Sequence, residues 1–193
     1  MDTARAAILD GLNVFRALEA WGARLYAGWA AAEPDEGLRA GHLVIAEREA
    51  NHARVLAERI RVLGGAPGPA CVDDVLAAQL AELGEVRGLV AQLDALKACT
   101  ARDAARLEPC NRALARGFET ARATDPETYR LWAELYSEEK VSAAWYRARY
   151  GELSGKGMRE PRLPVLAPEQ VVRRAERVTV AAGEPVACAL TAS

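Results

Sequence analysis

The sequence predicts an all-α protein, a bundle of four long helices with a short extra helix between the second and the third. Three observations support this fold class. Apolar and small residues recur at spacings of three and four through four long segments, as in helices that bury one face. Cap and stop residues separate those segments. The 193-residue chain is also rich in alanine and arginine, which favour helix.

The first long helix is predicted at 7–31 and the second at 38–63. The first ends before Glu33-Pro34-Asp35-Glu36-Gly37, a turn-forming cluster, and Gly64-Gly65 ends the second. Because the turn between them is short, we expect the two helices to be antiparallel neighbours. Their inward-facing residues are predicted to be Leu12, Phe15, Glu19, Gly22 and Tyr26 on the first helix, and His42, Ile45, Glu49, His52 and Leu56 on the second.

The middle of the chain is predicted to cross one end of the bundle. Residues 64–72 form a linker, and Asp73-Asp74 can cap a short helix at 74–83. The third long helix follows at 85–107, with a continuation at 109–123 that Pro109 can begin. The inward-facing residues of the third helix are predicted to be Val90, Leu93, Lys97, Thr100, Ala104 and Leu107.

The fourth long helix is predicted at 126–150. Thr124-Asp125-Pro126-Glu127 combines a cap residue, a proline and an acid, and Gly151 can end the helix. Its inward-facing residues are predicted to be Leu131, Glu134, Glu138, Val141 and Trp145. The helical domain then spans 1–151, and 152–193 is an irregular C-terminal extension. In it we expect a short helix at 168–176 and extended segments at 178–180 and 185–188, or an ordered arm on a neighbouring subunit.

Composition narrows the class of protein. The net charge is −2, so no basic surplus predicts nucleic-acid binding. No apolar run approaches the roughly 20 residues that span a bilayer, and the first residues do not predict a signal peptide. Cys71, Cys99, Cys110 and Cys188 show no CxxC spacing. We therefore expect reduced thiols and a cytoplasmic protein.

Glu49 and His52 are the strongest candidates for chemistry. They are three residues apart on the second predicted helix, so one face presents both side chains. A carboxylate and an imidazole presented together can share one metal ion. Glu19 lies on the inward face predicted for the first helix, and Glu134 and Glu138 on that of the fourth. These five residues are the candidate metal ligands, with Glu134 as a substitute for a missing one.

The two halves of the chain are similar in sequence. Ala17–Arg24 matches Ala95–Arg102 at five of eight positions, and Glu49–His52 aligns with Glu138–Val141. Helix pairs of this kind resemble the ferritin-like superfamily, including its rubrerythrin branch, over residues 7–150. The resemblance implies a ferritin-like four-helix bundle with a long crossover between helices 2 and 3, and a homodimer.

The resemblance also implies a dinuclear metal site. The family pattern takes one Glu from each of helices one and three and a Glu-x-x-His from each of helices two and four. The positions that match here are Glu19, Glu49, His52 and Glu138. Lys97 stands in place of the third-helix carboxylate, and Val141 in place of the second histidine. The implied site is therefore degenerate.

Two functions stay open, together with the possibility that the acids make ordinary interhelical contacts in another register. In the first, the site is metal-free or incompletely liganded, Lys97 bridges buried carboxylates, and the protein is a binding or structural module. In the second, the protein is an oxidoreductase that activates oxygen or peroxide at a non-standard iron or manganese site with one or two ions. Tyr26 and Lys97 are then the candidate catalytic residues.

Overall fold

The computed structural model describes residues 2–155, which form five helices and, over that range, no strand. The helices are α1 (Thr3–Ala32), α2 (Glu36–Val62), α3 (Asp73–Leu83), α4 (Leu89–Thr124) and α5 (Pro126–Ser154). The all-α prediction is confirmed for this part of the chain. The predicted helix at 168–176 and the extended segments near 180 and 186 lie outside the described residues.

Aspartate caps begin three of the helices. The side chains of Asp2, Asp35 and Asp125 accept hydrogen bonds from backbone N–H groups in the first turns of α1, α2 and α5. Asp125 alone joins α4 to α5, and Gly155, at φ 64°, ends α5 in the left-handed region. Helix α5 therefore passes through Gly151, where the sequence predicted its end.

Pro109 does not interrupt α4, which is one helix of 36 residues. The predicted division into 85–107 and 109–123 was wrong. A proline inside a helix removes one backbone hydrogen bond. Here Leu107 and Cys110 on either side of it both pack into the main apolar core, which holds the two halves of α4 in line.

The four long helices form two antiparallel pairs. Helix α1 packs against α2 and also against α4, where the backbones meet at Gly11 and Gly117. Helix α5 packs against α4 and faces α2. Because α1 is antiparallel to both, helices α2 and α4 run in the same direction. The segment that joins them, residues 63–88, therefore extends along the length of the bundle. It passes from Gly65, beside Leu9, to Leu83, whose carbonyl accepts a hydrogen bond from the Trp29 indole at 2.9 Å. The prediction that it crosses one end was wrong.

Helices α2 and α5 approach each other less closely than the other neighbouring long helices. Long polar side chains bridge them instead. Arg59 donates from Nε to Thr128 Oγ1 at 2.7 Å and from Nη2 to Asp125 Oδ1 at 2.8 Å. Arg48 donates to Ser142 Oγ at 2.8 Å. This side of the bundle is therefore the one with space between its helices.

Cys71 and Cys110 form a disulfide that ties the crossover to α4, with Cα atoms 5.8 Å apart. The expectation of reduced thiols was wrong for this pair. The two cysteines are 39 residues apart in sequence, so their spacing could not reveal the bond. Cys99 is a buried free thiol, and Cys188 lies outside the described residues. None of the described helices is long and apolar enough to cross a membrane.

Candidate metal centre

Three helices bring four ionisable side chains together in the bundle interior. Glu19 comes from α1, Glu49 and His52 from α2, and Glu139 from α5. Glu19 and Glu49 are each 4% exposed and His52 is fully buried, whereas the Glu139 side chain keeps 30% of its surface exposed. The apolar cores that contain Phe15 and Leu25 on α1 lie on either side of Glu19 along that helix. The group is thus a polar site enclosed by apolar packing.

His52 is at the centre of this group. Its Nδ1 lies 3.0 Å from Glu19 Oε2 and 3.2 Å from Glu139 Oε1, and its Nε2 lies 3.0 Å from Glu138 Oε2. Burial lowers the pKa of His52, but the hydrogen-bonded carboxylates outweigh burial and raise that pKa to about 10. Without a metal, both ring nitrogens are protonated and donate to carboxylates at neutral pH.

Glu49 is the neutral member of the group. Burial raises its pKa to about 10, helped by the charges of Glu19 and Glu139 and by the hydrogen bond between Glu49 and Glu19. A Cβ at Gly22 would lie only 3.1 Å from Glu49 Oε2, so the glycine gives the carboxyl group its space. Glu49 Oε1 is buried and has no hydrogen-bond partner among the described residues. Such an unsatisfied buried oxygen is costly.

The donor atoms of this group fit one metal ion. One oxygen each of Glu19 and Glu139 and a ring nitrogen of His52 lie within 4.8 Å of one another. Glu49 lies beside this group of three, hydrogen-bonded to Glu19, and its unpaired Oε1 is a further buried oxygen. Carboxylates and imidazole together suit iron, manganese or zinc. These residues could therefore hold a single divalent ion, and Glu138, on the other ring nitrogen, would orient His52.

The structure brings together Glu19, Glu49 and His52 of the predicted set, and their role as metal ligands stays a prediction. Glu138 contacts His52 from the rim of the site and is 53% exposed. Glu134 is exposed and contributes nothing to the site, so its assignment as a substitute ligand was wrong.

Glu139 was missed because the predicted register of α5 was one residue out. The face of α5 that turns inward presents Trp132, Leu135, Glu139, Ser142 and Tyr146, whereas Val141 is 59% exposed. A signal was present in the sequence: this face carries two large aromatic residues and a leucine at helical spacing. The adjacent face, with Glu134 and Glu138, carries more charge.

Lys97 lies on the exposed face of α4, so the predicted bridge from Lys97 to the carboxylates was wrong. Nearby Cys99 packs against Leu25 and Trp29, which are six and ten residues beyond Glu19 on α1. The similar segments 17–24 and 95–102 therefore lie at different heights in the bundle. In an alanine-rich helical chain, such a match arises without structural equivalence.

Tyr26, the other predicted catalytic residue, packs beside the site. Burial raises the pKa of its phenol, and the Glu49, Glu139 and Glu19 carboxyl groups, which are ionised at the high pH where a phenol titrates, raise it further. Its ring centroid is 5.3 Å from that of Tyr146, whose hydroxyl lies 2.8 Å from His42 Nδ1. Tyr26 is thus a neutral phenol next to the acidic group.

Comparison with known proteins gives no relative. No protein-family model, no curated protein and no solved structure matches the chain. Over its described residues the protein has five helices and a buried group of Glu19, His52 and Glu139. No family is assigned to it.

Proposed function

We propose that this protein binds one divalent transition-metal ion, iron or manganese, through Glu19, Glu49, His52 and Glu139. The observation that supports this most is Glu49 Oε1, a buried carboxyl oxygen without a partner beside three other donors. No lysine or arginine of the described chain pairs with Glu19 or Glu49. His52 is hydrogen-bonded to Glu19, whereas Glu49 has no hydrogen-bonded cationic partner in the described part of the chain, and a buried acid in that position holds a proton or a metal ion.

The residues around the ligands have defined tasks. Glu138 accepts the Nε2 proton of His52, which leaves the Nδ1 lone pair for the ion. Gly22 keeps space for the Glu49 carboxyl group. Tyr26 keeps its proton and so adds no negative charge to the site. A bound iron or manganese ion would supply redox chemistry with oxygen or peroxide.

The connectivity of the helices supports the resemblance to the ferritin-like superfamily. Two antiparallel pairs are joined by a crossover that runs the length of the bundle, and the donors come from α1, α2 and α5. In place of a third-helix carboxylate, α4 offers the exposed Lys97. A single ion therefore suits this chain better than a pair. The homodimer and the cytoplasmic location stay predictions.

A metal-free structural bundle is the second candidate. It is favoured by the hydrogen bonds of His52, because a doubly protonated imidazole already donates to both Glu19 and Glu138. In that case the Glu49 proton replaces the metal ion, and the protein acts through its outer surface.

Metal titration of the full chain separates the two candidates. After chelator treatment and its removal, isothermal titration with Mn²⁺, and anaerobically with Fe²⁺, should give about one ion per chain. The affinity should rise with pH, because His52 Nδ1 and Glu49 must lose protons to bind the ion. Glu49→Gln and His52→Gln should each weaken binding at least tenfold. The control Glu134→Gln removes an exposed charge from α5 and should bind as the wild type does.

Two results would count against the metal site. One is a wild-type protein that binds no more ion than Glu49→Gln does, which would favour the metal-free bundle. The other is tight binding that survives both Glu49→Gln and His52→Gln, since the ion would then sit elsewhere.

A further inference from the structure

A groove with a cavity volume of about 290 Å³ lies on the outer surface between α2 and α5. Val44, Val141 and Trp145 are among the residues that line it. Arg48 and Ser142 also line it. The groove occurs on the side of the bundle where the neighbouring long helices approach each other least closely.

The apolar part of the groove is exposed to solvent. Val44 is 57% exposed and Val141 is 59% exposed, which makes them two of the most exposed large apolar residues in the described chain. Gly41 allows the Trp145 indole to lie directly on the backbone of α2, because any Cβ there would overlap the ring. The indole thus gives the groove a rigid aromatic wall.

The polar part of the groove suits an anion. Arg48 donates from Nη1 to Ser142 Oγ at 2.8 Å, and its Nε is 3.9 Å from Glu138 Oε2, beyond hydrogen-bond distance. Its Nη2 makes no hydrogen bond to another described residue. Glu138 thus faces the Nε edge of the guanidinium, and it is also hydrogen-bonded to His52 Nε2 at 3.0 Å. The free edge of the guanidinium is left for a ligand.

We propose that this groove binds a small amphipathic carboxylate. The carboxylate group pairs with Arg48 and the Ser142 hydroxyl, since guanidinium binds carboxylates in a fork geometry. The hydrocarbon chain lies between Val44 and Val141 against the Trp145 indole. A cavity of 290 Å³ equals about ten water volumes at ~30 Å³ each, which fits a ligand of about ten heavy atoms. The site is separate from the metal ligands, so it does not rest on metal binding.

The test uses octanoate as the probe and octanol as its uncharged partner, with metal-free full-length protein. Binding is followed by ¹H–¹⁵N NMR through the Trp145 indole signal, which Trp145→Phe assigns, and by calorimetry. Octanoate should bind at least tenfold more tightly than octanol. Arg48→Gln should abolish that preference and leave octanol binding unchanged. Val141→Asp should weaken octanoate binding at least tenfold, whereas Val62→Asp, at a site 64% exposed and outside the groove, should not.

Three outcomes would overturn the proposal. Equal binding of octanoate and octanol, unaffected by Arg48→Gln, would show that the polar end selects no anion. No shift of the Trp145 signal at millimolar octanoate would show that the groove takes no such ligand. A wild-type dimer that Val141→Asp converts to a monomer would show that a second copy of the chain covers the groove.

Discussion

Replacing Glu49 by Gln should make the metal-free protein more stable, although Glu49 is a buried polar residue inside the bundle. Glu49 holds a proton inside the bundle, where Glu19 from α1, His52 from α2 and Glu139 from α5 face it. Gln has the shape of the protonated acid and can donate its amide to Glu19 in the same place. The substitution therefore keeps the hydrogen bond and removes the ionisation.

The expected gain follows from the pKa of Glu49. Its ordinary value is 4.5, and burial raises the native value to about 10. Between these values the unfolded chain has released a proton that the native state keeps, so stability falls by about 1.4 kcal/mol per pH unit as the pH rises. At pH 7 the accumulated loss is about 3 kcal/mol. Because Gln does not ionise in either state, we expect Glu49→Gln to gain about 2–3 kcal/mol at pH 7.

Urea and thermal unfolding in the presence of a chelator, at pH 5, 6, 7 and 8, measure this effect. The gain should be small at pH 5 and grow with pH. At pH 7 it should raise the melting temperature by roughly 4–10 °C. The matched control is Glu19→Gln. Glu19 accepts the Nδ1 proton of His52 at 3.0 Å, so this change removes a buried ion-pair partner. It should destabilise the protein by about 2–4 kcal/mol.

A Glu49→Gln protein that is less stable than the wild type at pH 7–8, by an amount that does not vary with pH, would contradict this prediction. Glu49 would then be ionised in the native protein and paired with a cation. Equal effects of Glu49→Gln and Glu19→Gln would likewise show that the two carboxyl groups are not in different protonation states.

Three further predictions concern the contacts that hold the helices together around the site. Arg59→Ala should lower the free energy of unfolding in urea by about 3 kcal/mol, because it leaves Asp125 without its ion-pair partner between α2 and α5. Arg61→Ala, at an exposed ion pair, should lower it by less than about 1 kcal/mol. Equal losses of stability in the two variants would contradict this. Gly41→Ala should destabilise by about 1–3 kcal/mol and shift the Trp145 NMR signal, while Gly28→Ala, with open space around it, should stabilise by up to about 1 kcal/mol. Cys110→Ser should lower the free energy of unfolding by about 4 kcal/mol, because the disulfide closes a loop between residues 39 apart and so restricts the unfolded chain. A reductant should destabilise the wild type and leave the stability of Cys110→Ser unchanged.

The helices near the N-terminus were predictable because local signals agree there. The predicted inward faces of α1 and α2 are confirmed: Leu12, Phe15 and Glu19 are buried, as are Glu49 and His52. Aspartate caps begin both helices, Glu33 ends the first, Gly64 follows the end of the second, and each helix has one clear apolar stripe. Helix α4 has a weak stripe: alanine occupies both exposed and inward positions, and three of its predicted inward residues are exposed.

The sequence alone could not predict whether Glu138 or Glu139 faces the interior of the bundle. The two acids are adjacent, so a rotation of α5 by one residue, about 100°, decides which one enters the interior. That rotation is set by Trp132 and Tyr146, which pack into the core from the same face as Glu139. Sequence periodicity placed Glu138 on the inward face, whereas the structure turns Glu139 further inward and leaves Glu138 at the rim, in contact with His52.

The sequence by itself determined the all-α class, the Asp125 cap of α5, and the presence of Glu49 and His52 on one buried face of α2, because each depends on residues close together in one chain segment. Only the tertiary structure decided the partners of that pair. It excluded Lys97, introduced Glu139, joined Cys71 to Cys110 and left Glu49 Oε1 without a partner. These features depend on how each helix is rotated and at what height it lies against its neighbours, and such quantities are fixed by packing across the whole bundle.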